Sequence, residues 1–135
     1  MSLLVDTSVW SLAFRRDGEQ IEPEVAALRE ALLNAHHVVT TGVVVQELLQ
    51  GVTGPRDRAQ MLERLSAIDF VQPDPEDHVE AADVRNGCLR RGVQIGTIDA
   101  LLIQLCRRHE LVLLTTDQDF RAARAHVEFG MWPTA

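Results

Sequence analysis

Lysine is missing from this chain: every one of the 13 basic residues among its 135 is arginine. That absence removes phosphate-binding loops of the Walker type, which need Gly-Lys-Ser or Gly-Lys-Thr. It also removes receiver domains, whose acidic pocket works beside a lysine. Only forked, permanently charged cations remain, a geometry matched to bidentate phosphate contacts. Positive charge is scarce in total as well. With a formal net charge of −7, broad electrostatic attraction to nucleic acid is excluded, because that attraction scales with the phosphates neutralised. Any nucleic-acid contact must be local. Long apolar runs are lacking too: hydrophobic residues reach 46% but are dispersed, and nothing nears the ~18 apolar residues of a bilayer span. No membrane partner is expected. Met1-Ser2 leads straight into a strand-like stretch, without a basic region, a longer apolar core and a small-residue cleavage site, so a cytoplasmic location is expected. Cysteine is nearly absent. Cys88 and Cys106 both fall in helix-like patterns, where lone thiols read as small core residues and not as a disulfide or metal pair.

What is present fits one domain over residues 1–135, a length that buries roughly two thirds of its unfolded surface without staples. Short aliphatic runs alternate with helix-like stretches. Leu3-Leu4-Val5 reads as a strand, after which Thr7 or Ser8 caps a short helix through Trp10, Leu12 and Phe14. Glu22 to Asn34 forms a second helix with Pro23 in its first turn, and His37 to Thr40 a second strand. Val43 to Gln50 is a helix ended by Gly51, and another follows Pro55. Phe70-Val71 is a brief strand, and the amphipathic run Glu76 to Arg91 stops at Gly92. Thr97 starts a strongly apolar helix, Leu111 to Leu114 is a strand, and a short helix and a strand near Val127 to Trp132 complete the chain. Strands separated by helices predict an α/β fold: a mainly parallel central sheet with helices on both faces. No repeat, low-complexity segment or long linker interrupts it.

In such a sheet ligands bind beyond the carboxyl ends of the strands. Asp6, in LLVDTSVW, is placed there, and so is Asp117, because LVLLTTDQDF repeats the same grammar of aliphatic strand, hydroxyl residues and acid. Asp119 follows two residues on. Glu47, in VVVQELLQG, shares an apolar helical stripe with Val43 and Val44. Asp99, in GTIDALLIQL, opens a helix that is otherwise nearly all apolar. Each has an ordinary explanation by itself: Asp99 as a cap, Asp6 and Asp117 as turn formers, Glu47 as an edge residue with its carboxylate in water. Together they would converge on one sheet edge, where like charges are unfavourable unless a cation neutralises them. Oxygen donors without His or Cys suit Mg2+ or Mn2+. Such a pocket binds phosphates and activates water for in-line attack.

VDTSVW, QELLQG, GTIDALLIQL and LLTTDQDF, in this order and at these intervals over essentially the whole chain, resemble the PIN domain, and within it the VapC toxins of bacterial toxin–antitoxin pairs. The resemblance implies a PIN-like fold and a metal-dependent endoribonuclease, with Asp6, Glu47, Asp99 and Asp117 as catalytic acids around Mg2+ or Mn2+. Asp6, Asp99 and Asp117 would ligate the ion directly or through water, while Glu47 ligates a second ion or orients the attacking water. It implies that Asp119 supports the metal through water and that Ser8 orients Asp6, with Thr7 left to cap the helix. Thr115 and Thr116 match the polar residues before the last acid. Gly96 departs from the pattern, since many relatives carry another residue there. The implied products end in a 5′-phosphate and a 3′-hydroxyl. The implied partners are a VapB-like antitoxin laying a basic segment over the acidic pocket, an RNA substrate of the tRNA or rRNA class, and a second copy in a homodimer, within a higher toxin–antitoxin assembly in some cases.

A substrate track needs local cations, for which Arg15, Arg16, Arg85, Arg90 and Arg91 are the candidates. Trp10 reads as core and not as a stacking platform, and the five histidines show no catalytic spacing. Phosphatases of the haloacid dehalogenase type want a second Asp two residues after the first, but position 8 is Ser. The remaining alternative is an inactive PIN-like scaffold serving as a binding module. The presence of all four acids argues against it.

Overall fold

The computed structural model describes residues 1–15 and 22–134. Its elements are β1 (Ser2–Val5), α1 (Thr7–Ala13), α2 (Pro23–Leu33), β2 (His37–Thr40), α3 (Gly42–Gln50), α4 (Pro55–Leu65), β3 (Asp69–Phe70), α5 (Pro75–Arg90), α6 (Thr97–His109), β4 (Val112–Leu114), α7 (Gln118–Arg124) and β5 (Gly130–Met131). The five strands form one sheet in the order β3-β2-β1-β4-β5, and every pairing is parallel. Helix and strand limits differ from the expected ones by a residue or two. The chief local correction concerns the start of α1: Asp6, not Thr7 or Ser8, is its N-cap, with its side chain accepting from the Thr7 backbone N–H.

The strand order explains where the site lies. From β1 the chain adds β2 and β3 on one side, then returns across β1 to place β4 and β5 on the other. Right-handed crossovers in opposite directions put their helices on opposite faces. Accordingly α1 packs against α2 and α3, and α3 against α4, while α5 and α6 pack along each other. Between β1 and β4, where the direction reverses, the helices diverge and leave a crevice at the carboxyl ends of the strands. The register sets Val5 opposite Leu114, so Asp6 and the Thr115-Thr116-Asp117 segment leave the sheet side by side. The Asp6 N–H donates to the Leu114 carbonyl at 2.9 Å, extending the ladder by one bond.

Leu3, Leu4 and Val5 are all buried, as are Val38, Val39, Leu113 and Leu114. Runs of this kind mark strands covered on both faces. Cys88 and Cys106 are buried free thiols, and desolvation pushes the Cys106 thiol up to about 12, which leaves it neutral and inert. α5 stops at Arg90, and just past its Arg91 cap Gly92 takes a φ of +81°, a conformation that residues with a Cβ rarely adopt.

The α5–α6 pair carries its own polar core. Asp77, 1% exposed, completes a capping box with Asp74 at the start of α5. Its carboxylate also accepts from Gln104 and Arg108 of α6, and Arg108 bridges to Asp74 at 2.8 Å. Burial pushes the Asp77 pKa up, but the Asp74 N–H, Gln104 and Arg108 together outweigh it and hold the pKa below 3.8. A lowered acid contributes stability above its unfolded pKa that is lost as pH falls through the folded value. Asp77→Asn should therefore cost about 1–3 kcal/mol at pH 7, and the gap to wild type in urea titrations should close below about pH 4.

Candidate metal centre at the switch point

β1 delivers Asp6 into the crevice, and the residues around it hold both of its oxygens. Oδ1 accepts the Thr7 N–H at 2.8 Å, and Oδ2 accepts the hydroxyls of Ser8 at 2.9 Å and Thr115 at 2.8 Å. Asp6 is 7% exposed, so these bonds replace the water it has lost. Ser8 and Thr115 are themselves fixed. The Thr116 N–H donates to Ser8 Oγ at 3.1 Å, and the Asp117 N–H donates to Thr115 Oγ1 at 3.0 Å. This net joins the turn after β4 to the turn after β1, across 109 residues of sequence.

Asp117 caps α7 by accepting the Asp119 N–H at 2.9 Å. Asp99, in the first turn of α6, accepts the Gly96 N–H at 3.2 Å. A Cβ at Gly96 would stand 3.4 Å from Asp99 Oδ2, an ordinary contact, so the departure from the family pattern leaves the Asp99 geometry intact. Asp99, Asp117 and Asp119 come together, each offering one oxygen within 4.8 Å of the others. Asp119, expected to support a metal through water, stands within this cluster.

Glu47 approaches from α3. The Thr7 hydroxyl donates to Glu47 Oε1 at 2.8 Å, so Thr7 tethers this acid to the start of α1 in place of the capping task expected of it. The sequence carried no signal for the pairing, because the partners lie 40 residues apart. Of the arginine candidates, Arg15 lines a cavity that also contains Glu47, and Arg85 donates to the Ile95 carbonyl ahead of α6. Arg90 and Arg91 line a separate cavity with Arg107 and Arg108. Arg16 lies outside the described residues.

The carboxylates are crowded without a counter-charge among the described residues of the cluster. Burial pushes the Asp99 pKa up, the Gly96 N–H opposes this, and the charges of Asp6, Asp117 and Asp119 push it further up, for a net rise above 3.8. These donors fit a hard divalent cation: they are all oxygen, close enough to share one ion, and mutually repulsive without it. An acid with a raised pKa binds its proton more tightly folded than unfolded, so the metal-free protein should gain stability as pH falls through the folded pKa of Asp99 toward its ordinary value of 3.8. Asp99→Asn should raise the melting temperature of the metal-free protein by roughly 1–4 °C at pH 7. Saturating Mn2+ should raise that of wild type by roughly 5–10 °C and leave the variant nearly unmoved, as read by thermal denaturation with EDTA or Mn2+.

The chain's resemblances agree with this architecture. The sequence model of the family described as PIN domain matches residues 3–125. No curated protein matches the sequence. The structure of FitAcB from Neisseria gonorrhoeae is similar at a TM-score of 0.71 and 22% identity, covering 96% of this chain and 95% of that one. DNA-bound VapBC from Salmonella typhimurium gives 0.77 at 16% identity, over 97% and 96% of the two chains. VapC20 from Mycobacterium tuberculosis, a sarcin-ricin loop cleaving toxin, gives 0.66 at 19% identity, over 90% and 95%. At these identities the structures establish a shared fold. The match over residues 3–125, on a five-stranded parallel sheet with its acids at the switch point, shows that this chain belongs to the PIN domain family.

Proposed function

We propose that this chain is a metal-dependent endoribonuclease, one domain over residues 1–135, acting in the cytoplasm as the toxin of a VapBC-like toxin–antitoxin pair. The observation that carries the reading is the meeting of Asp99, Asp117 and Asp119, with ligating oxygens within 4.8 Å of one another, at the sheet edge that also presents Asp6 and Glu47. Asp99, Asp117 and Asp119, with Asp6 beside them, are the residues that would hold Mg2+ or Mn2+. When bound, such an ion lowers the pKa of a coordinated water and neutralises charge developing on the scissile phosphate.

The protein's own contribution is positioning. Asp6 has no freedom to swing, because Thr7, Ser8 and Thr115 occupy both oxygens. Glu47, held at Oε1 by Thr7, keeps its other oxygen for orienting the attacking water. A water nucleophile makes the 2′-hydroxyl unnecessary and leaves a 5′-phosphate and a 3′-hydroxyl.

The shared fold with VapBC complexes and with a toxin that cleaves the sarcin-ricin loop supports an RNA substrate of the tRNA or rRNA class and a VapB-like antitoxin. Leu33, 86% exposed, supports α2 as part of a homodimer surface. No helix among the described residues is long and apolar enough to cross a membrane.

Purified protein free of antitoxin should cleave total RNA with Mg2+ or Mn2+ and stop in EDTA. Asp6→Asn and Asp117→Asn should each lower the rate at least ~100-fold, and Thr7→Val, which releases Glu47, roughly tenfold. Cleavage that persists in EDTA, or in both Asn variants, sinks the proposal.

A further inference from the structure

We propose that the cavity beside Glu47 seats the RNA backbone next to the scissile bond, with Arg15, Arg29 and Arg64 as its phosphate-binding residues. The proposal rests on the nuclease reading of the acid edge. The cavity has a volume of about 590 Å³ and lies among α1, α2, α3 and α4, with Glu47 in its wall. Three arginines line that wall: Arg15 just after α1, Arg29 on α2 and Arg64 on α4. Among the described residues none of the three is ion-paired to a carboxylate. Asp57 also lines the cavity, leaving three cations against that acid and Glu47.

A chain of net charge −7 that presents a carboxylate cluster repels a polyanion, so a phosphodiester strand needs a local excess of cations beside the cluster. This cavity supplies one within reach of the site. Its Arg64 is braced, with the guanidinium 5.7 Å above the Phe14 ring, and that ring stacks on Trp10 at 5.9 Å. Bracing lowers the entropy lost when the fork closes on a phosphate. Phe14, Arg29 and Arg64 are shared with an adjoining cavity of about 370 Å³, whose other walls include Trp10, Leu28 and Leu32. The groove therefore passes from a carboxylate to cations to apolar surface, an order that suits scissile phosphate, flanking phosphates and unstacked bases of a single strand.

The second arginine-lined cavity, of about 700 Å³, lacks these properties. Arg90, Arg91, Arg107 and Arg108 share it with Glu80, Asp83 and Glu128, and none of the site acids enters it. Arg108 is already bound to Asp74 and Asp77.

Binding separates this proposal from catalysis. A fluorescent single-stranded RNA of about 12 nucleotides, titrated in EDTA by anisotropy over a salt series, should bind Arg29→Gln and Arg64→Gln roughly three- to tenfold more weakly than wild type. The slope of log K against log salt should shrink by about one in each. Arg29→Lys should recover part of the loss, and Arg124→Gln, on α7, should match wild type. In Mn2+ the two Gln variants should raise KM and keep kcat. Gln variants that melt like wild type yet keep its RNA affinity and salt slope would overturn the proposal, and so would variants that lose affinity only for an acidic probe, polyglutamate, which assigns the groove to a protein segment. Wild type that binds RNA through these arginines and never cleaves leaves the subsite standing and removes the nuclease. Cleavage with unaltered KM in both Gln variants does the reverse.

Discussion

Repulsion among carboxylates is the constraint on which this structure turns. Burial, together with the charges of Asp6, Asp117 and Asp119, holds the Asp99 pKa above its ordinary value. Relaxed side chains would swing apart. They are kept together because each is fixed by backbone geometry before electrostatics acts: Asp6 by the end of β1, Asp117 by the cap of α7, and Asp99 by the first turn of α6. The parallel sheet is the frame that makes this possible. Its reversal between β1 and β4 brings two strand ends into register and opens the crevice between them.

Support is unevenly distributed over the acids, and the unevenness has a chemical meaning. Asp6 accepts three hydrogen bonds and is nearly sealed from water, whereas Asp99 accepts one from Gly96. Three donors fix the Asp6 carboxylate in place and still leave acceptor capacity on Oδ1, whereas Asp99 keeps most of its lone pairs open to a ligand. Thr7 connects the two halves of this design. Its N–H steadies Asp6 while its hydroxyl steadies Glu47, so the distance between the first strand's acid and the third helix's acid is set by a single residue.

Much of this was legible in the sequence, for reasons that can be named. Periodicity and punctuation gave the elements, because Leu3 to Val5 and Leu111 to Leu114 are aliphatic runs that stop at acids. The strand-end rule then placed Asp6 and Asp117 together. Hidden from it were relations that depend on side-chain direction across long separations. Thr7 looked like a cap because hydroxyls at helix starts usually are caps, and nothing local shows that Asp6 takes that place and frees Thr7 for Glu47. Asp119 is an exposed residue whose carboxylate still comes within 4.8 Å of Asp99 and Asp117, a proximity that spacing along the chain does not reveal. Arg29 and Arg64 were invisible for a different reason, since arginines on exposed helix faces are ordinary until the fold sets them around one cavity.

The two faces of the sheet have separate tasks, and the division follows from how each handles charge. On the α5–α6 side, Asp74, Asp77, Gln104 and Arg108 satisfy one another, which locks the helix that presents Asp99. A closed network of that kind specifies geometry and offers little to a partner. On the α1–α4 side, cations stand beside Glu47 without carboxylate partners among the described residues, next to Leu32 and Leu33 left in water. Unneutralised charge and uncovered apolar surface both cost stability in the isolated chain. The acid cluster is therefore built on the rigid face and bordered by the open one, so its geometry is held independently of the surface beside Glu47.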